Sequence, residues 1–141
     1  MKKIILVSIT LFLLTTACKK IIKKTQEQIA EDLIVKAMTE GQWIVLSYND
    51  GTEYVSEFTD YKFQFKTNRT VDAVKNSAVE STGIWQGDGY KQEITADYPS
   101  SASLTLQRLD GVWKIVASTW TSVRATQTIN GKLTTLELKK L

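Results

Sequence analysis

The sequence predicts an all-β fold, an up-and-down antiparallel barrel of eight to nine strands preceded by one N-terminal α-helix. Three observations carry this. A single apolar stripe at helical spacing lies between residues 25 and 40. After Gly41 the apolar residues recur at every second position. Turn-forming residues then punctuate the chain at close intervals to its last segment. Tight turns join antiparallel neighbours. A meander of so many strands either closes on itself or exposes edges that invite aggregation. A two-sheet sandwich is the main alternative.

The helix is expected over 25–40. Thr25 is suited to an N-cap, with Gln28 three residues on as in a capping box. Ile29, Leu33, Ile34, Ala37 and Met38 form its stripe, and Gly41 follows as a C′ residue. Gln42–Tyr48 reads as the first strand, closed by Asn49-Asp50-Gly51. Glu53–Phe58 fits no single period. Tyr61–Lys66 alternates cleanly, with Tyr61, Phe63 and Phe65 on one face and Lys62, Gln64 and Lys66 on the other. Thr67-Asn68-Arg69 turns into a weaker strand over Val71–Lys75, followed by strands over Ala78–Gln86 and Tyr90–Ala96. Asp97–Ser101 holds the only Pro and reads as a loop. Ala102–Leu109 and Val112–Thr119 flank Asp110-Gly111, and Val123–Ile129 and Lys132–Lys139 flank Asn130-Gly131. Both dipeptides are hairpin signals.

The N-terminus carries a second kind of information. Met1-Lys2-Lys3 is basic, Ile4–Leu14 is uncharged and mostly apolar, and Thr15-Thr16-Ala17 is small. This is the layout of a secretory signal peptide. The apolar run is too short for a bilayer core, which needs roughly 20 residues. Cys18, the only Cys, follows at once. It has no partner for an internal disulfide. In this setting Cys18 resembles the lipobox Cys of bacterial lipoproteins. That resemblance implies cleavage before Cys18 and acylation of its sulfur and new N-terminus. The expected organisation is a cleaved signal over 1–17, a lipidated basic tether over 18–24 and a barrel domain over 25–141. The expected location is the bacterial cell envelope, in the outer membrane and facing the periplasm.

The chain has 18 Lys and Arg against 15 Asp and Glu. Lys2 and Lys3 leave with the signal, and Lys19, Lys20, Lys23 and Lys24 crowd the attachment point. From Thr25 onward the acidic residues are therefore in excess, so nothing points to nucleic acid. Basic residues beside an acyl anchor suit either contact with anionic lipid head groups or a solvated tether. The absence of His removes the commonest general base and transition-metal ligand. With Cys18 committed to lipid, no Ser–His or Cys–His nucleophile and no zinc site can be assembled. The expectation is a binding protein, not an enzyme, with no cofactor and no metal. Asp50, Glu53, Glu57 and Asp60 lack the ligand spacing of a calcium loop and read as solvated surface.

The order of motifs from Thr25 to Leu141 resembles the small lipocalin-like lipoproteins of bacteria. A helix leads into Gly41-Gln42-Trp43, followed by Tyr61-x-Phe63-x-Phe65, Gly83-Ile84-Trp85 and Asp110-Gly111-Val112-Trp113. The resemblance implies a lipocalin-like barrel in which Gly41 and Trp43 close one end. Arg124, near a late strand, is the candidate to lie across the Trp43 ring. The wider lipocalin family binds small hydrophobic molecules inside the barrel. On this reading Tyr61, Phe63, Phe65, Trp85 and Trp120 are the candidate ligand-binding residues, with Trp120 at the rim. The expected function is a membrane-anchored carrier or binder of a small hydrophobic or amphipathic molecule. An eight-stranded barrel has room for one small ligand or for its own side chains. The strands here are short, and Trp113, Ile115, Leu104, Leu106, Leu136 and Leu138 add to the filling. The alternative is therefore a filled barrel that binds a protein or envelope polymer through its loops. An internal cavity of roughly 300 Å³ or more separates the two readings.

Overall fold

The computed structural model describes residues 22–141. Cys18, the signal over 1–17 and the first tether residues lie outside the described residues. Helix α1 covers 22–39 and is followed by eight strands. These are β1 (Trp43–Asn49), β2 (Tyr61–Phe65), β3 (Thr70–Lys75), β4 (Ala78–Asp88), β5 (Glu93–Asp97), β6 (Gly111–Ser118), β7 (Ser122–Ile129) and β8 (Lys132–Lys140). Each strand pairs antiparallel with the next and β8 returns to β1, closing an up-and-down barrel. A 3₁₀ turn (Val55–Phe58) lies between β1 and β2, and a short helix α2 (Leu104–Gln107) between β5 and β6.

Inward residues follow the period of two. Tyr61, Phe63 and Phe65 are buried in β2, and Gly83, Trp85 and Gly87 in β4. Leu136 and Leu138 continue the same face in β8. The Asn130-Gly131 hairpin forms as expected, with both residues at positive φ and Ile129 opposite Lys132. Pairing is uneven around the barrel. β1 is bonded along its length to β8 but meets β2 at one pair, Trp43 opposite Phe63.

Several expectations differ from the structure. α1 already includes Ile22, so Lys23, Lys24 and Thr25 are helical residues and Thr25 is not the N-cap. Ile29 and Leu33 of the expected stripe are exposed, while Ile34, Ala37 and Met38 face the barrel. The reason is the angle of approach. α1 crosses one rim of the barrel, so only one edge of the stripe is covered. A Cβ at Gly89 would collide with the Ala30 carbonyl oxygen, so the β4–β5 turn meets α1 backbone to backbone.

The segment Ala102–Leu109 is not a strand. Its Leu residues fit both periods, since Leu104 and Leu106 alternate while Leu106 and Leu109 are three apart. The second spacing prevails. Leu106 and Leu109 are buried and Leu104 is 77% exposed. Asp110-Gly111 is accordingly not a two-residue hairpin. The partner of β6 is β5, with Glu93 opposite Lys114, and the long connection between them carries α2. The Asp110 carboxylate accepts the Tyr98 backbone N–H at 2.7 Å, tying down the start of that connection. The expected strand Tyr90–Ala96 begins only at Glu93, because β4 runs on to Asp88 before turning.

Candidate functional site

Both ends of the barrel are occupied by the chain's own side chains. At the end where β1 finishes, Tyr48, Phe58, Leu106, Leu109 and Trp113 form a plug. The Tyr48 and Phe58 ring centroids are 5.7 Å apart, and the Tyr48 hydroxyl donates to the Arg108 carbonyl at 3.1 Å. The Arg108 guanidinium lies 3.8 Å from the Tyr54 ring centroid and 3.3 Å from a Glu57 carboxylate oxygen. α2 is thereby latched to the 3₁₀ turn.

At the other end α1 lies across the rim. The Trp43 indole N–H donates to the Met38 carbonyl at 2.9 Å, joining the last turn of α1 to the first residue of β1. Arg69, in the β2–β3 turn, donates to a Glu31 carboxylate oxygen of α1 at 2.6 Å and stands 5.4 Å from the Trp85 ring centroid. Gly41, at φ +86, makes the left-handed exit from α1 that brings Trp43 back onto Met38.

Arg124 does not cover Trp43. It lies on the outer face of β7, between the inward Val123 and Ala125, with its guanidinium 3.9 Å from Glu137. The alternation of Val123 and Ala125 already places Arg124 outward. Lys140 takes the position instead. It stands opposite Trp43 on β8, with its ammonium 5.1 Å from the Trp43 centroid and 5.1 Å from that of Trp120. Sequence reasoning missed Lys140, although Leu136, Leu138 and Lys140 share one face by the period of two.

The remaining candidate residues separate. Tyr61, Phe63, Phe65 and Trp85 are all buried. Phe65 and Trp85 meet edge to face at 5.2 Å, and the Trp85 indole N–H donates to the Lys66 carbonyl at 3.0 Å. Tyr61 reaches the far end, where its hydroxyl donates to Glu80 at 2.8 Å. Phe63 and Phe65 border an internal cavity of about 40 Å³, together with Tyr98, Leu109, Trp113 and others. That space is far below the scale of a ligand pocket. The Tyr98 hydroxyl is buried and has no hydrogen-bond partner among the described residues. Burial pushes its ionisation well above the ordinary tyrosine range.

Trp120 is 47% exposed, in the turn between β6 and β7. It stands at the mouth of a crevice of about 360 Å³ between α1 and the barrel rim. Leu33, Ile34, Ala37 and Met38 wall it on the helix side, and Trp43, Ile94, Ile115 and Val123 on the barrel side. Ile94 and Val123 also border the internal cavity, so the two spaces share a wall. A second, polar groove of about 670 Å³ runs between the start of α1 and β4–β5, with Glu27, Glu31, Arg69, Asp88 and Lys91 along it. Among the described residues no group of three or more His, Cys, Asp and Glu side chains is placed to hold a metal ion, and no helix is long and apolar enough to cross a membrane.

No protein-family model and no curated protein matches the chain. Solved structures do. A DUF4847 family protein from Bacteroides vulgatus ATCC 8482 superposes with a TM-score of 0.53 at 11% identity, covering 75% of this chain and 96% of that one. A lipocalin-like protein from Bacteroides uniformis ATCC 8492 superposes with a TM-score of 0.50 at 15% identity, covering 73% of this chain and 98% of that one. At such identities the likeness speaks for the fold alone. The chain is an eight-stranded, closed antiparallel barrel of lipocalin-like architecture, preceded by one N-terminal helix.

Proposed function

We propose that this protein is a lipid-anchored binding protein of the bacterial envelope that takes a small amphipathic molecule at its rim, beneath α1, and not inside the barrel. The observation that carries the reading is a contrast of volumes. The crevice under α1 offers about 360 Å³ with a largely apolar wall, against about 40 Å³ inside. Ligand pockets begin at roughly 300 Å³. The tether fits this use. Cys18 precedes Ile22 by four residues, at most about 14 Å of extended chain. An acyl group on Cys18 would hold the start of α1 close to the bilayer surface. The reading needs no catalytic group.

The test is an environment-sensitive apolar dye. Ala37→Phe, which fills the crevice, should abolish one-site dye binding without unfolding the protein. Phe63→Ala, inside the barrel, should lower stability and leave dye affinity unchanged. The reverse pattern would place the site in the interior and overturn the reading. The tether is tested separately: Cys18→Ala should yield protein without the mass of acyl groups.

The filled interior supports a second reading, a barrel that binds a protein or envelope polymer through its surface. On that reading no dye binds at one site, and a partner is recovered by cross-linking in intact cells.

A further inference from the structure

We infer that the outer side of α1 lies on the bilayer that the Cys18 anchor enters, with Ile29 and Leu33 in the lipid interface and Trp120 beside them. The inference rests on the tether reading above and adds the surface by which the folded domain meets the membrane. Three observations lead to it.

The first is an apolar stripe that nothing among the described residues covers. Ile22, Ile29 and Leu33 follow one another at intervals of seven and four, so they share one side of α1. They are 58%, 54% and 56% exposed. The barrel takes a different side of the helix, through Ile34, Ala37 and Met38. Other exposed apolar residues are dispersed: Val79 on β4, Leu104 on α2 and Leu133 on β8 stand on separate elements.

The second is where the stripe begins and ends. Cys18 is four residues before Ile22, so an acyl chain on Cys18 enters the bilayer within about 14 Å of the start of α1. From Ile22 to Leu33 the helix rises about 17 Å. Trp120 stands near that end, since it and Leu33 border the same crevice. Laid flat, α1 brings the anchor, the stripe and the exposed Trp120 to one plane. An indole, apolar with one polar edge, suits the boundary between head groups and acyl chains.

The third is charge. Lys19, Lys20, Lys23 and Lys24 cluster at the anchored end. Lys36, exposed beside the stripe, puts its ammonium 6.0 Å from the Trp120 ring centroid. The carboxylates of α1 are engaged within the protein. Glu27 and Glu31 border the polar groove on the barrel side, where Glu31 holds Arg69. Asp32, on the outer side, accepts from the Gln28 amide at 2.9 Å. The domain is acidic overall from Thr25 onward. Lysines set along an apolar stripe next to an acyl anchor therefore suit an anionic lipid surface.

The experiment takes the full processed protein, extracted from its own membrane, and records the acyl groups on Cys18 by intact mass. The protein is then reconstituted into vesicles of phosphatidylethanolamine and phosphatidylglycerol with brominated acyl chains. Bromine quenches a tryptophan only at close range. Trp43, Trp85 and Trp113 are buried in the barrel, so Trp120 should account for the quenching and Trp120→Phe should abolish it. Ile29→Glu combined with Leu33→Glu should abolish it too, with the anchor still in place. The unfolding midpoint of that variant should stay near the parent's, because both side chains face water in the free protein. Leu104→Glu, at the opposite end of the barrel, should leave the quenching as in the parent. An acylated protein that shows no quenching, or whose quenching survives the double substitution, would overturn the docking while the tether stands. Absence of acyl groups would overturn the tether and the docking together. A dimer in sedimentation that the double substitution dissociates would put a second copy on the stripe and also overturn the docking.

Discussion

The ammonium of Lys140 lies 5.1 Å from the ring centroid of Trp43, directly across the pairing of β8 with β1. The first strand and the last therefore meet through a cation and an indole as well as through backbone hydrogen bonds. Trp43→Ala should destabilise by about 3–5 kcal/mol, as expected for a fully buried large aromatic. Combined with Lys140→Met, the loss should depart from additivity by about 0.5–1 kcal/mol. Combined with Arg124→Ala it should be additive, because Arg124 is on the outer face. Urea unfolding of the two cycles checks this, and coupling to Arg124 alone would contradict the geometry.

Leu104 and Leu106 are two residues apart and lie in opposite environments, one exposed and one fully buried. Leu106→Ala should cost about 2–5 kcal/mol. Leu104→Ala should stay within about 0.5 kcal/mol of the parent. Comparable losses at both positions would point to a strand in place of α2.

Gly89 faces the Ala30 carbonyl with no room for a Cβ. Gly89→Ala should push α1 from the rim at a cost on the order of 1–3 kcal/mol. Hydrogen exchange should speed up in α1 while β7 and β8, which pair along their length, remain protected. Uniform acceleration across the barrel would mean that α1 and the barrel open together.

Asp72 is held below the usual carboxylate range by the hydrogen bond from Lys66, assisted by Thr82. A lowered carboxylate contributes stability that is full above its unfolded pKa and is lost as the pH falls through the folded value. The stability difference between the parent and Asp72→Asn should therefore be constant near neutrality and shrink below about pH 4. Burial pushes the Asp110 carboxyl the other way, but Asp110 is present in both proteins and cancels in the difference. Urea midpoints at a series of pH values test this. A difference that grows with acidity would reverse the assignment.

What could be read from the sequence was local. Tyr61, Phe63 and Phe65 declared their face through alternation, and Asn130-Gly131 declared its hairpin through backbone chemistry. Ala102–Leu109 was not legible, because its Leu spacing satisfies two periods and only the plugged barrel end chooses between them. The Lys140–Trp43 contact was not legible either, since it depends on the register in which the last strand returns to the first. Trp120 was placed at the rim by its polar neighbours, but the crevice beside it exists only because α1 crosses that rim. Phe63 and Phe65 border the inner space as alternation implies, yet its size follows from the plug at one end and α1 across the other, which no single segment encodes.

The uneven pairing of β1 bears on how the chain comes to be assembled. Its single paired residue on β2 is Trp43 opposite Phe63, while almost its whole length rests on β8. A chain made from its N-terminus thus carries its first strand without its main partner until the last segment has emerged. Early intermediates can form the β2–β3–β4 meander from neighbouring segments, but ring closure belongs to the final residues. Truncation by a few residues at Leu138–Leu141 would then do more than shorten a tail. It would take away the partners of Trp43, Ile44 and Val45, leave the first half of β1 unpaired beside the end of α1, and open an edge available to another copy.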